Sequence, residues 1–258
     1  MTVGKGDRAR DIAYLIDPAH DDAQDTTGLI WLLGLKSDMT STKASALSAW
    51  APQKGYNLTR FEYSGHGASA GVFENATIGD WLEETHAVFS QLTSGRQILV
   101  GSSTGGHIAL LMLRDLLRNN PKSAKRIKGL VLIAPAWDLT EELMWKAFPE
   151  EARRDIMDKG VYMMPSDYGE PYPITRNFIE EGRNHLIGAE PFDPGCPVII
   201  LQGRLDTSVP PQHARALREL LKNNRANLID IPDGNHSLSR PQDIEKLFNA
   251  IDLVNAQS

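Results

Sequence analysis

Two glycines bracket a pair of serines in Gly101-Ser102-Ser103-Thr104-Gly105, between the β-rich run QILV and the helical spacing of HIALLMLRDLL. The pattern G-x-S-x-G centred on Ser103, with a strand before it and a helix after it, suits a nucleophile held on a tight turn. A Cβ at either flanking glycine would collide with neighbouring backbone, and the turn lifts the Ser103 hydroxyl above the carboxyl ends of the strands. The N–H of Thr104, at the helix start, faces any negative charge that develops on a substrate. Ser102 lacks the symmetrical flanking and belongs to the wall. The competing reading is a glycine-rich helix start with serine as N-cap. A phosphate loop fits poorly because no lysine follows the glycines.

Serine is a weak nucleophile at neutral pH, so the pattern demands a base and a residue to orient it, in the chain order Ser, Asp or Glu, His. Asp206 lies just past the apolar run PVIILQG, and His236 lies in IDIPDGNHSLSRPQD, after the last strand-like run and before the last helical one. Asp206 could instead cap the helix beginning near Pro211. Of seven histidines, His236 alone follows the final strand. His20, His86 and His213 fall in a charged segment or on helices, His107 in the first turn after Ser103, and His185 in an insertion. His66, in YSGHGAS, is placed near the substrate pocket but precedes the serine. Asp138, after GLVLIAPAW, is the alternative acid.

A developing oxyanion normally needs two main-chain donors. WLLGLKSDMTSTKA supplies the second: Gly34 permits a turn that presents the N–H of Leu35 opposite that of Thr104. Lys36 reads as a solvated charge, and Asp38 and Thr40 as caps for a helix starting near Thr42.

The elements that must hold these residues alternate between strand and helix, which is the pattern of a mostly parallel sheet. Strands are expected at 11–17 (an edge), 28–35, 57–63, 97–101, 129–137, 197–203 and 226–232, with a helix over ATIGDWLEETHAVFSQL. Continuous apolar runs mean strands covered on both faces. The stretch between GLVLIAPAW and PVIILQG is too long for a connection in a compact domain. Residues 1–138 and 192–258 are therefore expected to form an α/β core with helices on both faces, and 139–191 an inserted lid.

The bounds agree. The 258 residues are 41% hydrophobic without repeats, enough for one large α/β domain. Net charge is −6 and the cations are scattered, which argues against nucleic acid. No uncharged apolar run approaches the length of a membrane span, and MTVGKGDRARD carries no apolar leader, so a cytoplasmic enzyme is expected. The single cysteine, Cys196, excludes an internal disulfide and any cysteine-based metal cluster; no metal or other cofactor is expected.

With these residues assembled, the chain resembles the α/β-hydrolases over nearly its whole length. LGLKSDMTSTKA, FEYSGHGASAG, ILVGSSTGG, DKGVYMMPSDYGE and GRLDTSVP are similar to the abhydrolase-domain branch that includes the mitochondrial depalmitoylase and acyl-glucuronide esterase. The resemblance implies Ser103, Asp206 and His236 as a triad, Leu35 and Thr104 as oxyanion donors, and hydrolysis of S-palmitoyl thioesters or acyl glucuronides. Leu35 stands where an aromatic is expected, Thr104 replaces the usual leucine, and MTVGKGDRARD is not expected to be an organelle transit segment.

Substrate selection is expected in the lid, which holds Met144, Met157, Met163 and Met164, four of the seven methionines. Trp145, Phe148, Tyr162, Tyr168, Tyr172 and Phe178 accompany them. Thioethers and aromatics make an adaptable apolar wall, or a small cap packed on itself. Met163, Met164, Trp145 and His66 are the expected pocket residues. The substrate is a small molecule or an acylated protein carrying a hydrophobic acyl ester or thioester. Two rival classes are a catalytically idle hydrolase fold that binds a ligand or partner, and a nucleotide-binding protein using GHGASA (65–70) as G-x-G-x-x-A. The second lacks the required helix after the glycines.

Overall fold

The computed structural model describes residues 1–20, 27–165 and 170–257. The chain begins with a short antiparallel pair, β1 (Thr2–Val3) and β2 (Arg10–Asp11). It enters the main sheet through β3 (Tyr14–Asp17) and β4 (Gly28–Leu32), followed by α1 (Thr42–Trp50), β5 (Asn57–Phe61) and α2 (Ile78–Gln91). Next come β6 (Gln97–Ser102), α3 (Thr104–Asn119), α4 (Pro121–Ala124) and β7 (Ile127–Ile133). A long excursion holds α5 (Glu150–Arg154), the hairpin β8 (Val161–Met164) with β9 (Tyr172–Thr175), and α6 (Arg176–Gly182). The chain returns as β10 (Val198–Gly203), α7 (Pro211–Leu220), β11 (Ala226–Ile231) and α8 (Pro241–Ala256).

The seven-stranded sheet runs β11-β10-β7-β6-β4-β5-β3, parallel except where β3 pairs antiparallel with β5. Leu29, Ile30, Ile98, Leu99, Leu130, Val131, Ile199 and Ile200 are all buried, as continuous apolar runs in a sheet covered on both faces should be. Tyr14, Leu15 and Ile16 on the edge strand β3 are instead 39 to 47% exposed. Trp50 of α1 stacks on Phe248 of α8 at 4.4 Å, so these helices share one layer, while α2 and α3 pack together in another. Among the described residues, no helix is long and apolar enough to cross a membrane.

β4 leads to β5 on one side, yet β6 pairs along its other edge. The loops after β4 and β6 therefore part company above the sheet, and such a switch point opens a crevice at the carboxyl ends of the strands. Leu32 pairs with Gly101 and Ser102 with Ile133, which brings the chain after Leu32 level with Ser103.

Several strands are shorter than their apolar runs. The run expected over 11–17 splits between β2 and β3. The run at 28–35 ends at Leu32, because Gly34 begins a turn in which Ser37 N–H donates to the Gly34 carbonyl at 3.1 Å. The run at 129–137 is β-paired only to Ile133, since Ala134 adopts φ 44° and Pro135 follows it. Asp38 does not cap α1: its carboxylate accepts from the N–H and hydroxyl of Thr40, both at 2.7 Å, and Ser41 occupies the cap position.

The excursion is held to the core at its two ends and also through α6, whose Phe178 meets Trp81 of α2 at 5.5 Å. Asp138 accepts the N–H groups of Ile187 (2.6 Å) and Gly188 (2.9 Å), and Phe192 exchanges main-chain hydrogen bonds with Leu220 and Lys222 at the end of α7.

Candidate active site

Ser103 sits at the junction of β6 and α3 with φ 53° and ψ −116°, a left-handed conformation that L residues rarely adopt. The turn is held by three main-chain bonds: Ser103 N–H donates to Ile133, and the Ser103 carbonyl accepts from Gly106 and Ala136. The flanking glycines are sterically required. A Cβ on Gly101 would lie 2.5 Å from the Gly105 carbonyl oxygen, and one on Gly105 would lie 2.0 Å from that of Leu32.

His236 follows β11 in a loop, and its ring bridges the other two candidates. Nε2 lies 3.2 Å from Ser103 Oγ, and Nδ1 lies 2.8 Å from Asp206 Oδ2. With a carboxylate at Nδ1, the imidazole carries its proton there and leaves Nε2 to accept from the serine hydroxyl. Asp206 is fully buried in its side chain. Its Oδ1 accepts the N–H groups of Ser208 and Val209, and Oδ2 accepts from Gln202 Nε2 at 3.1 Å. Gln202 also donates to the Val209 carbonyl at 3.0 Å and is itself fully buried at the end of β10. A lone amide in the apolar run PVIILQG is the signal that would have revealed this support for the acid.

The alternative acid, Asp138, is not brought to His236. Its carboxylate is taken by Ile187 and Gly188, and the imidazole beside it is that of His107, 3.9 Å away and buried in α3. Burial raises the Asp138 pKa against the lowering effect of its two N–H donors. His213 likewise turns away, its Nε2 2.7 Å from the Trp137 carbonyl oxygen.

The loop after β4 passes close above Ser103: a Cβ on Gly34 would lie 3.4 Å from the serine Cβ. Leu35 and Thr104 both face the cavity that contains Ser103 and His236. Thr104 opens α3, and a first-turn N–H has no partner within its own helix.

His66 does not line that cavity. It is buried beneath the loop, edge-on to Trp81 and Phe73, and its Nε2 accepts the backbone N–H of Lys36 at 3.1 Å while Nδ1 faces the Ser64 carbonyl. Burial, partly countered by the Ser64 carbonyl, depresses its pKa to about 4, so the ring is neutral and can accept from Lys36. A second stitch lies nearby, where the buried Glu62 accepts from the N–H groups of Met39 and Ala68. The concavity of the GHGASA loop is filled by that carboxylate, 2.2 Å from where a Gly67 Cβ would stand, which leaves no cradle for phosphate.

The cavity measures about 930 Å³ and its lining is chemically mixed. Leu139, Leu143, Met144, Met163, Met164 and Tyr172 contribute apolar surface; Ser41, Thr42, Lys43, Ser208, Ser237 and Ser239 contribute polar surface. Met163 is a rim residue, 52% exposed, whereas Met164 is half-buried and its Sδ accepts from Tyr172 Oη at 3.4 Å. Trp145 does not line the cavity, because the wide helical turn Leu139–Trp145 directs it outward under the guanidinium of Arg183. Tyr168 lies outside the described residues. Among the described residues, no three His, Cys, Asp or Glu side chains converge as metal ligands would.

Fold, crevice and elbow define a class, and a family model agrees: residues 25–247 match it, and the chain belongs to the alpha/beta hydrolase family. Within that family it is similar to human palmitoyl-protein thioesterase ABHD10, mitochondrial, with 32% identity over 227 residues covering 87% of this chain and 72% of the relative. The structure of mouse alpha/beta hydrolase domain-containing protein 10 superimposes with TM-score 0.83 at 28% identity, covering 100% of this chain and 99% of that one. A crystal structure from Agrobacterium vitis S4 superimposes with TM-score 0.93 at 42% identity, over 98% of this chain and 97% of that one.

Proposed function

We propose that this hydrolase cleaves carboxylic esters or thioesters of hydrophobic acyl groups through Ser103, His236 and Asp206, by way of an acyl-enzyme. The observation that carries the reading is the pair of contacts made by one imidazole, 3.2 Å to Ser103 Oγ and 2.8 Å to Asp206 Oδ2. The thioesterase named among its relatives supports it.

In the first half-reaction Ser103 Oγ attacks the acyl carbon and its proton passes to His236 Nε2, with Asp206 steadying the imidazolium. The oxyanion so formed accepts from the N–H groups of Leu35 and Thr104. His236 returns the proton to the departing alcohol oxygen or thiol sulfur, leaving the acyl group on Ser103. Water then repeats the attack, giving its proton to His236, and the acid is released with the serine regenerated. Residues 139–191 act as a lid, its apolar wall receiving the acyl chain.

A fluorophosphonate should add once, on the peptide containing Ser103. Ser103→Ala should lose labelling and turnover while melting like the parent, because only a hydroxyl is removed. Turnover retained by that variant would leave an idle hydrolase fold as the better description.

A further inference from the structure

The two arms of the loop that carries His236 are held differently. Before the histidine, the Gly234 carbonyl accepts from the Leu205 N–H at 2.8 Å and the Gly234 N–H donates to the Ile231 carbonyl at 3.1 Å, which fixes this arm to the loop bearing Asp206. After it the chain makes a cramped turn, with Leu238 buried at φ 42°. Ser237 Oγ donates to Asn235 Oδ1 and Ser239 Oγ to the Ser237 carbonyl, both at 2.9 Å, and neither bond leaves the turn. Among the described residues, the hydrogen-bond donor that reaches 237–239 from another element is Lys43, in the first turn of α1. Its Nζ donates to the Ser237 carbonyl and to Ser239 Oγ, the latter at 3.3 Å.

As a source of stability this amine is poorly suited. Among the described residues, no carboxylate lies within ion-pairing distance of it, and Asp243, whose charge acts on it, has both oxygens engaged by Arg240 at 2.8 and 2.9 Å. Burial depresses the Lys43 pKa to about 8, against the pull of Asp243, so the amine is still mainly charged at neutral pH. A half-buried ammonium whose partners are neutral oxygens gains little over its lost hydration. The Ser237 carbonyl would keep Ser239 Oγ as a donor without it. What the bond does supply is a fixed peptide one residue beyond the imidazole. That ring must hold Nδ1 2.8 Å from Asp206 Oδ2 and Nε2 3.2 Å from Ser103 Oγ at once, so a small rotation of its backbone breaks both contacts. We propose that Lys43 is a positioning residue for His236: by gripping the Ser237 carbonyl it keeps the imidazole between Asp206 and Ser103 through both half-reactions. This rests on the Ser103 reading and adds a member to the machinery of that same site.

The test compares Lys43→Met and Lys43→Arg with the parent in turnover of p-nitrophenyl acetate, in the rate of fluorophosphonate labelling and in thermal melting. In Lys43→Met, kcat should fall by about 10- to 100-fold with KM little changed, the size expected when a reacting group is displaced by about an ångström. Labelling at Ser103 should slow by a similar factor, since attack on phosphorus also needs His236 as base. The melting temperature should not fall, because the variant gives up a half-buried charge that lacks a counter-ion. Lys43→Arg, which keeps a charged donor on a long side chain, should restore most of both rates. A Lys43→Met variant as fast as the parent, or one whose loss lies in KM, overturns this inference and leaves the Ser103 reaction standing. So does a loss of turnover that tracks a lowered melting temperature, or one that Lys43→Arg does not repair. A parent neither labelled nor active overturns the reaction itself and this inference with it.

Discussion

The backbone N–H of Lys36 donates to Nε2 of His66 across 3.1 Å, joining two loops thirty positions apart in the chain. The bond exists only while the imidazole is neutral with its proton on Nδ1, where it faces the Ser64 carbonyl. A residue remote from the substrate thereby fixes the peptide beside Leu35, whose N–H is proposed to meet the oxyanion.

His66→Phe keeps a ring in the aromatic cluster but leaves the Lys36 N–H without its acceptor. Turnover should fall by about 10- to 100-fold, less than the loss of an oxyanion donor itself, with KM little changed. A fall confined to KM would detach His66 from the oxyanion loop.

The same histidine sets a pH window for stability. Its pKa is about 4 in the folded chain and about 6.5 when exposed, so the unfolded state binds the extra proton between those values. Its contribution is complete above the unfolded value and is lost as pH falls from about 6.5 through 4, on the order of 3 kcal/mol at most. Urea melts of parent and His66→Phe across that window should show the shallower slope in the variant; parallel slopes would assign the loss to other groups.

Asp206→Asn should preserve the cavity while leaving His236 poorly oriented, a change that lowers turnover by about 10⁴-fold in another enzyme of the same constellation. Asp138→Asn retains one oxygen for the two N–H groups of Ile187 and Gly188, and should reduce stability by about 1–3 kcal/mol with much less effect on turnover. Steady-state kinetics and thermal melts on the two variants separate these roles, and a reversal of the two kinetic effects would move the acid to Asp138.

For the acyl chain, kcat/KM should rise with each methylene until the apolar wall is covered, by at most about 0.8 kcal/mol per step. Met164→Ser should flatten that rise more than Met163→Ser, since Met163 is mostly in solvent. A series of p-nitrophenyl esters of increasing chain length measures both. Equal profiles for parent and Met164→Ser would remove Met164 from the acyl path.

The strand, turn and helix around Ser103 were legible because glycines, apolar runs and helical spacing are local signals. Asp206 and His236 stood out by their places after the last two strands of the sheet. Strand ends were less legible: Leu33 and Leu35 are as apolar as Leu32, and only the turn at Gly34 stops the pairing. His66 and Trp145 were misplaced for different reasons. The role of His66 depends on a main-chain donor from a distant loop, and the direction of Trp145 depends on a widened helical turn that shifts each side chain from its α-helical bearing.

The double grip of Asp138 on Ile187 and Gly188 has an evolutionary consequence. One carboxylate shuts a circuit of 49 residues at its neck, and inside the circuit α6 also rests on the core, with Phe178 against Trp81 and Glu181 accepting from the Gly79 N–H. Since closure entropy grows only logarithmically with loop length, segments of other lengths could be exchanged inside the circuit with small entropic penalty, provided that the buried side chains Ile174, Phe178 and Ile179 are kept. Selectivity for new molecules could then diversify as a cassette, while Ser103, Asp206 and His236 stay where the strands put them.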